Sequence, residues 1–373
     1  MAWPELFASS MFIAVLLLCF LALFFLWLAR ILRRAPLRLR REAGNPVLSP
    51  VAGHWWESEA VFNPAAVVYG GRVHLFYRAL GRDGISRLGH ASSPDGVHFD
   101  ERSSAPVYDR GAGFAPPARV SYKTLTYDTD TYASGGGWGG TEDPRAVMIN
   151  GRMYMTFELF EGWQSLRLAV TSLADDDLAA LKWRWAPRVF MSPAGETNKN
   201  WVLFPEKIRG KFAILHALTP KILIEYRDTL ESLEEAPIRS NNKRTGRPGH
   251  WDAFIRGAGA PPIKTRLGWL LLYHGMNPDK GPGYNVGAML LDLDDPTKIL
   301  YQTEQPILTP THWYENDWKP GVVYATGAVV FGDDLIVYYG GGDKYVAAAR
   351  ANLADFLDKL TNNQNASLTP VTM

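Results

Sequence analysis

Cysteine is nearly absent from this 373-residue chain, with Cys19 the single example. No intrachain disulfide can form, so an oxidising compartment offers the fold no covalent support. An excess of either charge is missing as well: 39 Lys and Arg stand against 38 Asp and Glu, a formal net charge of +1. Beyond residue 42 the balance is 33 basic to 36 acidic side chains, which excludes the basic face a nucleic-acid partner requires. The eight histidines, among them His54, His74, His90, His98 and His216, show no compact ligand spacing, so no metal is expected; no other cofactor is expected either. Long uninterrupted helical patterns are scarce too. The body is broken by 34 Gly and 25 Pro into short apolar runs rich in aromatics, which make up 12% of the chain; that pattern suits strands joined by turns.

What is present begins with an apolar head. Residues 11–29, MFIAVLLLCFLALFFLWLA, carry no charge, and 19 residues at 1.5 Å each match a hydrocarbon core about 30 Å thick. Glu5 precedes the run, and Arg30, Arg33, Arg34, Arg38, Arg40 and Arg41 follow it. A cleaved signal would carry its basic residues before the apolar stretch instead. The expectation is a transmembrane anchor with an Arg-rich juxtamembrane segment over residues 1–42, which makes the membrane a partner. The positive-inside rule then turns the body, residues 43–373, to the cytoplasm, and the arginines would lie against anionic headgroups.

The body repeats one pattern five times: an opening with proline, an apolar strand, a turn, a second apolar strand and a third. The copies open at Asn63 (NPAAVVYGGRVHLFYRA), Asp143 (DPRAVMINGRMYMTFEL), Phe204 (FPEKIRGKFAILHAL), Pro261 (PPIKTRLGWLLLYHG) and Thr326 (TGAVVFGDDLIVYYGG). The centres YGG, ING, IRG, RLG and FGD read as hairpin turns. A hairpin unit recurring every 55–80 residues or so predicts an all-β, five-bladed β-propeller, with the segment near Pro46–Trp56 pairing with the last blade to close the ring. Two stacked sandwiches are the alternative, but they give no reason for five copies of one hairpin. In a propeller the inner strands converge, which would bring Asn63, Asp143 and Glu206 or Lys207 to equivalent points around one axis, where a ligand pocket belongs.

These openings, together with EDPR at Glu142–Arg145, LFPEKIRGKF, GAGAPPIKTRLGWLLLYHG, GAMLLDLDDPTKIL and IVYYGGGD, resemble glycoside hydrolase family 130, the β-mannoside phosphorylases and mannosidases. The resemblance runs from about Gly44 to the C-terminus. It implies an inverting glycosidase or glycoside phosphorylase acting on a β-mannosidic or similar β-glycosidic bond, with an oligosaccharide as substrate. It also implies one catalytic acid, Asp143, that protonates the glycosidic oxygen, in some members through a sugar hydroxyl. Burial beside Glu142 would raise the pKa of Asp143, as that role requires; an Asx cap before Pro144 is the plain structural role. Asn63, Arg78, Arg145 and Asp343 match sugar-binding positions. Trp138 is either a sugar platform or a loop anchor.

The attacking group is phosphate or water. The resemblance matches His274 and Tyr284 to phosphate-binding positions. Two basic residues of the family's phosphorylases are replaced by Ala217 and Ile255, leaving Arg256 or Lys264 to substitute, since phosphate recognition depends on charge-assisted bonds. Inorganic phosphate is then a co-substrate. Inversion by water needs a second carboxylate about 6.5–9.5 Å from the acid, for which Glu196, Glu225 and Asp252 are the candidates. Two other functions stay open: a glycan-binding propeller without catalysis, and a furanosidase-like propeller glycosidase.

Overall fold

A computed structural model describes residues 3–33, 37–109, 135–161, 166–281 and 283–362. Helix α1 (Trp3–Arg33) forms the apolar head. Its side chains are described for residues 13–28, a rise of about 24 Å, and among the described residues no helix is long and apolar enough to cross a membrane. The expected transmembrane helix, the single-pass membrane localisation and the body facing the cytoplasm are corrected accordingly. Arg30, Arg33 and Arg34 lie outside the described side chains.

Strand β1 (Arg40–Arg41) belongs to the folded body: it pairs with the last strand, and Leu37 and Leu39 beside it are buried. The first repeat forms β2 (Ala60–Tyr69), β3 (Arg72–Leu80) and β4 (Ile85–Ser93), with β5 (Glu101–Arg102) on its edge. The second forms β6 (Gly139–Ile149), β7 (Arg152–Phe160), β8 (Leu166–Ala174) and, after the short helix α2 (Asp175–Ala179), β9 (Val189–Phe190). The third is β10 (Val202–Leu203), β11 (Phe212–Ala217) and β12 (Leu223–Arg227). The fourth is β13 (Phe254–Ala258), β14 (Ile263–Thr265), β15 (Gly268–Met276), β16 (Asn285–Leu291) and β17 (Ile299–Gln302). The fifth is β18 (Val323–Phe331), β19 (Asp334–Gly341) and β20 (Tyr345–Asn352), followed by α3 (Leu353–Asn362). The fold is all-β, and pairing within each unit is antiparallel. A short parallel bridge from Ile85 and Ser86 to Gly139 and Gly140 joins the first two units, and none of the four sheets among the described residues closes on itself.

Side chains alternate across each strand with period two, so every unit presents one apolar face to the unit before it and another to the unit after. Along β3, Val73, Leu75 and Tyr77 pack on Ile336 and Tyr338 of the fifth unit. Phe76 packs on Met155 and Phe157 of the second. Three more clusters join the second unit to the third, the third to the fourth and the fourth to the fifth. Packing therefore runs from each unit to the next and from the fifth back to the first. The segment expected to meet the last unit does so through Leu48, which bridges to Val346.

A buried polar clamp recurs in three units. Tyr77 donates to Glu57 (2.8 Å), which also binds Arg102 (2.7 Å). Tyr273 donates to Asp252 (2.7 Å), which binds Arg247 (2.9 Å). Tyr339 donates to Glu315 (2.8 Å), which binds Arg41 (2.7 Å). Each carboxylate is fully buried and receives both a hydroxyl and a guanidinium, the condition under which burying a charge is tolerated. Gly89 and Gly287 lie against the first two tyrosine rings, where an added Cβ would come within 2.4 and 2.5 Å of a ring carbon. Arg41, expected at lipid headgroups, instead completes the third clamp.

Candidate active site

The inner strands carry a recurring irregularity. β2 bulges between Phe62 and Ala65, β6 between Glu142 and Arg145, β13 between Ile255 and Gly257, and β18 between Ala325 and Gly327. One extra residue in a strand breaks the ladder and re-aims a side chain, so Asn63, Asp143, Arg256 and Thr326 occupy related places in four units. Asn63 and Asp143 adopt left-handed backbone, φ 46° and 47°, a conformation that short polar residues tolerate best.

The third unit corrects the sequence reading. Its first strand is only two residues long, and Phe204–Pro205 lies beyond it at the hairpin. Glu206 and Lys207 accordingly stay off the axis: Glu206 pairs with Lys264 (2.6 Å) where both are about half exposed, and Lys207 lies over Phe212. Lys264 is thereby held away from the centre. The residues that do enter from this unit are Lys199 and Asn200, the latter again left-handed at φ 64°.

Side chains from all five units converge. The Asp143 carboxylate accepts from Asn63 Nδ2 (2.8 Å) and from Arg78 Nη1 (3.3 Å). Arg78, 1% exposed, also binds Glu142 (2.8 Å) and Ser86 (3.0 Å) and lies over the Phe62 ring. Lys199 pairs with Glu158 (2.5 Å), whose other oxygen accepts from the Asn200 amide (3.0 Å). Arg145 binds the carbonyls of Gly259 and Asp143 (2.8 Å each) and the Asn200 side chain (2.6 Å), which also accepts from the Tyr324 hydroxyl (3.0 Å). Asp343, at φ 53°, accepts from Lys319 (2.9 Å), and its charge helps hold Arg78 protonated.

The electrostatics invert one expectation. Burial pushes the Asp143 carboxyl upward, but the charges of Arg78, Lys199 and Arg145, with the Asn63 hydrogen bond, outweigh it and hold the group well below the usual carboxylate range. The resting site contains an ionised Asp143. Glu142, expected to raise it, is instead tied to Arg78.

The residues matched to phosphate binding gather on the fourth- and fifth-unit side. His274 is fully buried and stacks on Tyr324 with ring centroids 3.7 Å apart. Burial, with the charges of Arg145 and Arg256, brings its pKa down to about 3, so it is neutral. Its Nε2 donates to the Ala325 carbonyl (2.9 Å), leaving Nδ1 a buried acceptor with no partner among the described residues. Tyr284 meets Tyr324 edge to face at 5.5 Å. Arg256 lies beside the Tyr284 and Tyr324 hydroxyls, and their charges raise its pKa against the effect of burial. Ile255 is buried in the apolar cluster between the third and fourth units, and Ala217 is also buried. Trp138 anchors a loop: its amide donates to Gly84 (2.8 Å) and its ring covers that glycine.

The carboxylates proposed as a water-activating base are elsewhere. Glu196 pairs with Arg239 at the surface, Glu225 with Arg227 on β12, and Asp252 sits in the fourth-unit clamp. Among the described residues no group of three His, Cys, Asp or Glu is placed to hold a metal. Residues missed in the sequence are Lys199, Asn200, Glu158 and Tyr324. For the first two the signal was NKN, polar residues before a strand as in the other units, obscured by the shortness of β10.

A family model described as β-1,4-mannooligosaccharide phosphorylase matches residues 131–362. The chain belongs to glycoside hydrolase family 130. It is 34% identical over 332 residues to the 1,2-β-oligomannan phosphorylase of Thermoanaerobacter sp., covering 86% of this chain and 99% of that one. It is 35% identical over 326 residues to the β-1,2-mannobiose phosphorylase of the same organism, covering 84% and 96%. Among solved structures, β-1,2-mannobiose phosphorylase of Listeria innocua, in complex with β-1,2-mannobiose, aligns with a TM-score of 0.64 at 25% identity, over 86% of this chain and 99% of that one. Membership makes the chain a carbohydrate-active enzyme of the glycoside phosphorylase kind.

Proposed function

We propose that this family 130 enzyme is an inverting β-mannoside phosphorylase that cleaves β-1,2-linked manno-oligosaccharides with inorganic phosphate and releases α-mannose 1-phosphate. The five units are the blades of one propeller, a reading supported by the packing of the fifth unit on the first, and the site lies where their inner strands meet. The linkage follows the names of the relatives at 34 and 35% identity.

One observation carries the choice of phosphate over water. The carboxylates near Asp143 are engaged, Glu142 with Arg78, Glu158 with Lys199 and Asp343 with Lys319. Inversion by water requires a second carboxylate acting as base, whereas the fourth and fifth units bring Arg256, Tyr284 and neutral His274 to the site. Hydrolysis keeps one supporting fact, the apolar residues at Ala217 and Ile255.

In the proposed reaction a phosphate oxygen attacks C1 of the terminal mannoside while the bond from C1 to the leaving oxygen breaks with its electron pair. Asp143 supplies the proton that the leaving oxygen takes, directly or through a sugar hydroxyl. The proton of hydrogen phosphate restores Asp143, so the reaction balances. The resting carboxylate becomes an acid because both ligands act on its pKa. The anion offsets the positive field of Arg78, Lys199 and Arg145 that depresses it, and the sugar excludes water, which penalises the ionised form. Asn63, Arg78 and Asp343 bind the sugar hydroxyls, and Arg145 fixes the strand through its three acceptors. Asp143→Asn keeps the Asn63 contact and lowers kcat by about 10²–10⁴-fold. An unchanged kcat removes Asp143 from the mechanism.

A further inference from the structure

Arg244 was not singled out by any repeat or motif, and it lies on a connecting segment between the third and fourth units. That segment is fixed at both ends. Ser240 Oγ donates to the His216 carbonyl (2.9 Å), the Lys243 amide to the Thr219 carbonyl (3.0 Å) and Thr219 Oγ1 to the Asn242 side chain (3.1 Å). On the other side the Ile255 amide donates to the Arg244 carbonyl (3.0 Å) and Thr245 bridges Phe254. The segment thus runs from the end of β11, beside Ala217, to the strand that carries Arg256. Arg244 itself has φ 56°, an unfavourable backbone for a long side chain, retained here by these bonds.

Two arginines are thereby placed together. Burial and the charge of Arg256 lower the pKa of Arg244, while Tyr284, Tyr324 and Glu158 oppose that shift. The same three groups act on Arg256. Among the described residues neither arginine forms an ion pair with a carboxylate, Glu158 acting on both through its charge alone, and the Arg244 guanidinium has no hydrogen-bond partner. The two partly buried cations repel one another and share as counter-charge Glu158, which is already paired with Lys199, an arrangement that is costly in the empty fold. They suit an anion that carries more than one negative charge.

We propose that Arg244 is the second cation of the phosphate site, acting with Arg256 across the gap between the third and fourth units, and that it sets the affinity for phosphate. This rests on the reading of phosphate as nucleophile. It also explains how the site works without a basic residue at Ala217 or Ile255: the missing charge is supplied from the connecting segment that passes both.

The test is steady-state phosphorolysis of β-1,2-mannobiose by wild type, Arg244→Met and Arg244→Lys, varying phosphate and sugar separately, with thermal melting of each protein. Arg244→Met should raise the phosphate KM about 10- to 100-fold, equivalent to about 1.4–2.8 kcal/mol, and leave the sugar KM within twofold. Arg244→Lys should recover part of the loss. In the melts, inorganic phosphate should raise the wild-type Tm and have a smaller effect on Arg244→Met. A phosphate KM within twofold of wild type, or an effect confined to the sugar KM, overturns the assignment while leaving phosphorolysis intact. Absence of any sugar phosphate from the wild-type reaction overturns phosphorolysis itself.

Discussion

Arg78→Lys isolates the geometry of the proposed catalytic centre from its charge. Arg78 makes three directed contacts from one planar group, to Ser86, Glu142 and Asp143. An ammonium presents one nitrogen on a narrower stem and cannot bridge the two carboxylates. A charge-assisted hydrogen bond contributes about 1.5–3 kcal/mol; with two lost and one partly recovered, the expected destabilisation is about 3 kcal/mol, read as a lower urea midpoint at unchanged slope. The chemistry should change in a defined direction. A depressed Asp143 pKa contributes stability that is complete above about pH 4 and lost as pH falls toward its folded value. Weakening the Arg78 contact moves that folded pKa up, so acid unfolding of the variant should begin at higher pH. Catalysis should fall about tenfold or more through misplacement of Asp143. A variant as stable and as active as wild type refutes the view that the Arg78 fork positions the carboxylate.

Arg41→Met should destabilise by about 3–5 kcal/mol, because Glu315 is left buried without its cation, whereas Arg38→Met, at an exposed position, should change stability by about 0.5 kcal/mol or less. Equal urea midpoints for the two variants would argue against the third clamp. Burial holds His90 and His274 down to about 3 and His216 to about 4, against about 6.5 in the unfolded chain. Their contribution is therefore complete above about pH 6.5 and lost as pH falls toward these values, at up to about 1.4 kcal/mol per pH unit for each. Stability measured between pH 7 and 5 should show net proton uptake on unfolding, and a flat profile would contradict it. In His90→Gln the slope should decrease by the share of one proton.

The repeat was legible because packing imposes it. Strands that bury both faces between neighbouring units must be apolar throughout, and the openings need residues that accept a bulge, so Asn63–Pro64 and Asp143–Pro144 stood out. The third unit was misaligned because a two-residue first strand leaves little apolar signal, and the conspicuous Phe204–Pro205 lies outside it. Lys199 and Asn200 were lost for that reason. Arg41 read as a juxtamembrane charge because nothing in its local sequence reveals that β20 needs a partner or that Glu315 needs a cation. The sign of the Asp143 shift depended on Arg78 from the first unit and Lys199 from the third, neighbours that no adjacent residue announces. Glu142 is adjacent in sequence and suggested the opposite sign. Arg244 sits on a connector with no counterpart in the other units, so repetition gave no clue to it.

The most direct measurement is the product formed from β-1,2-mannobiose with and without inorganic phosphate, followed by phosphorus and proton NMR. Phosphorolysis predicts that α-mannose 1-phosphate appears one for one with the disaccharide consumed, and that turnover stops when phosphate is removed. Free mannose from both halves of the disaccharide, formed at the same rate in either buffer, would contradict it.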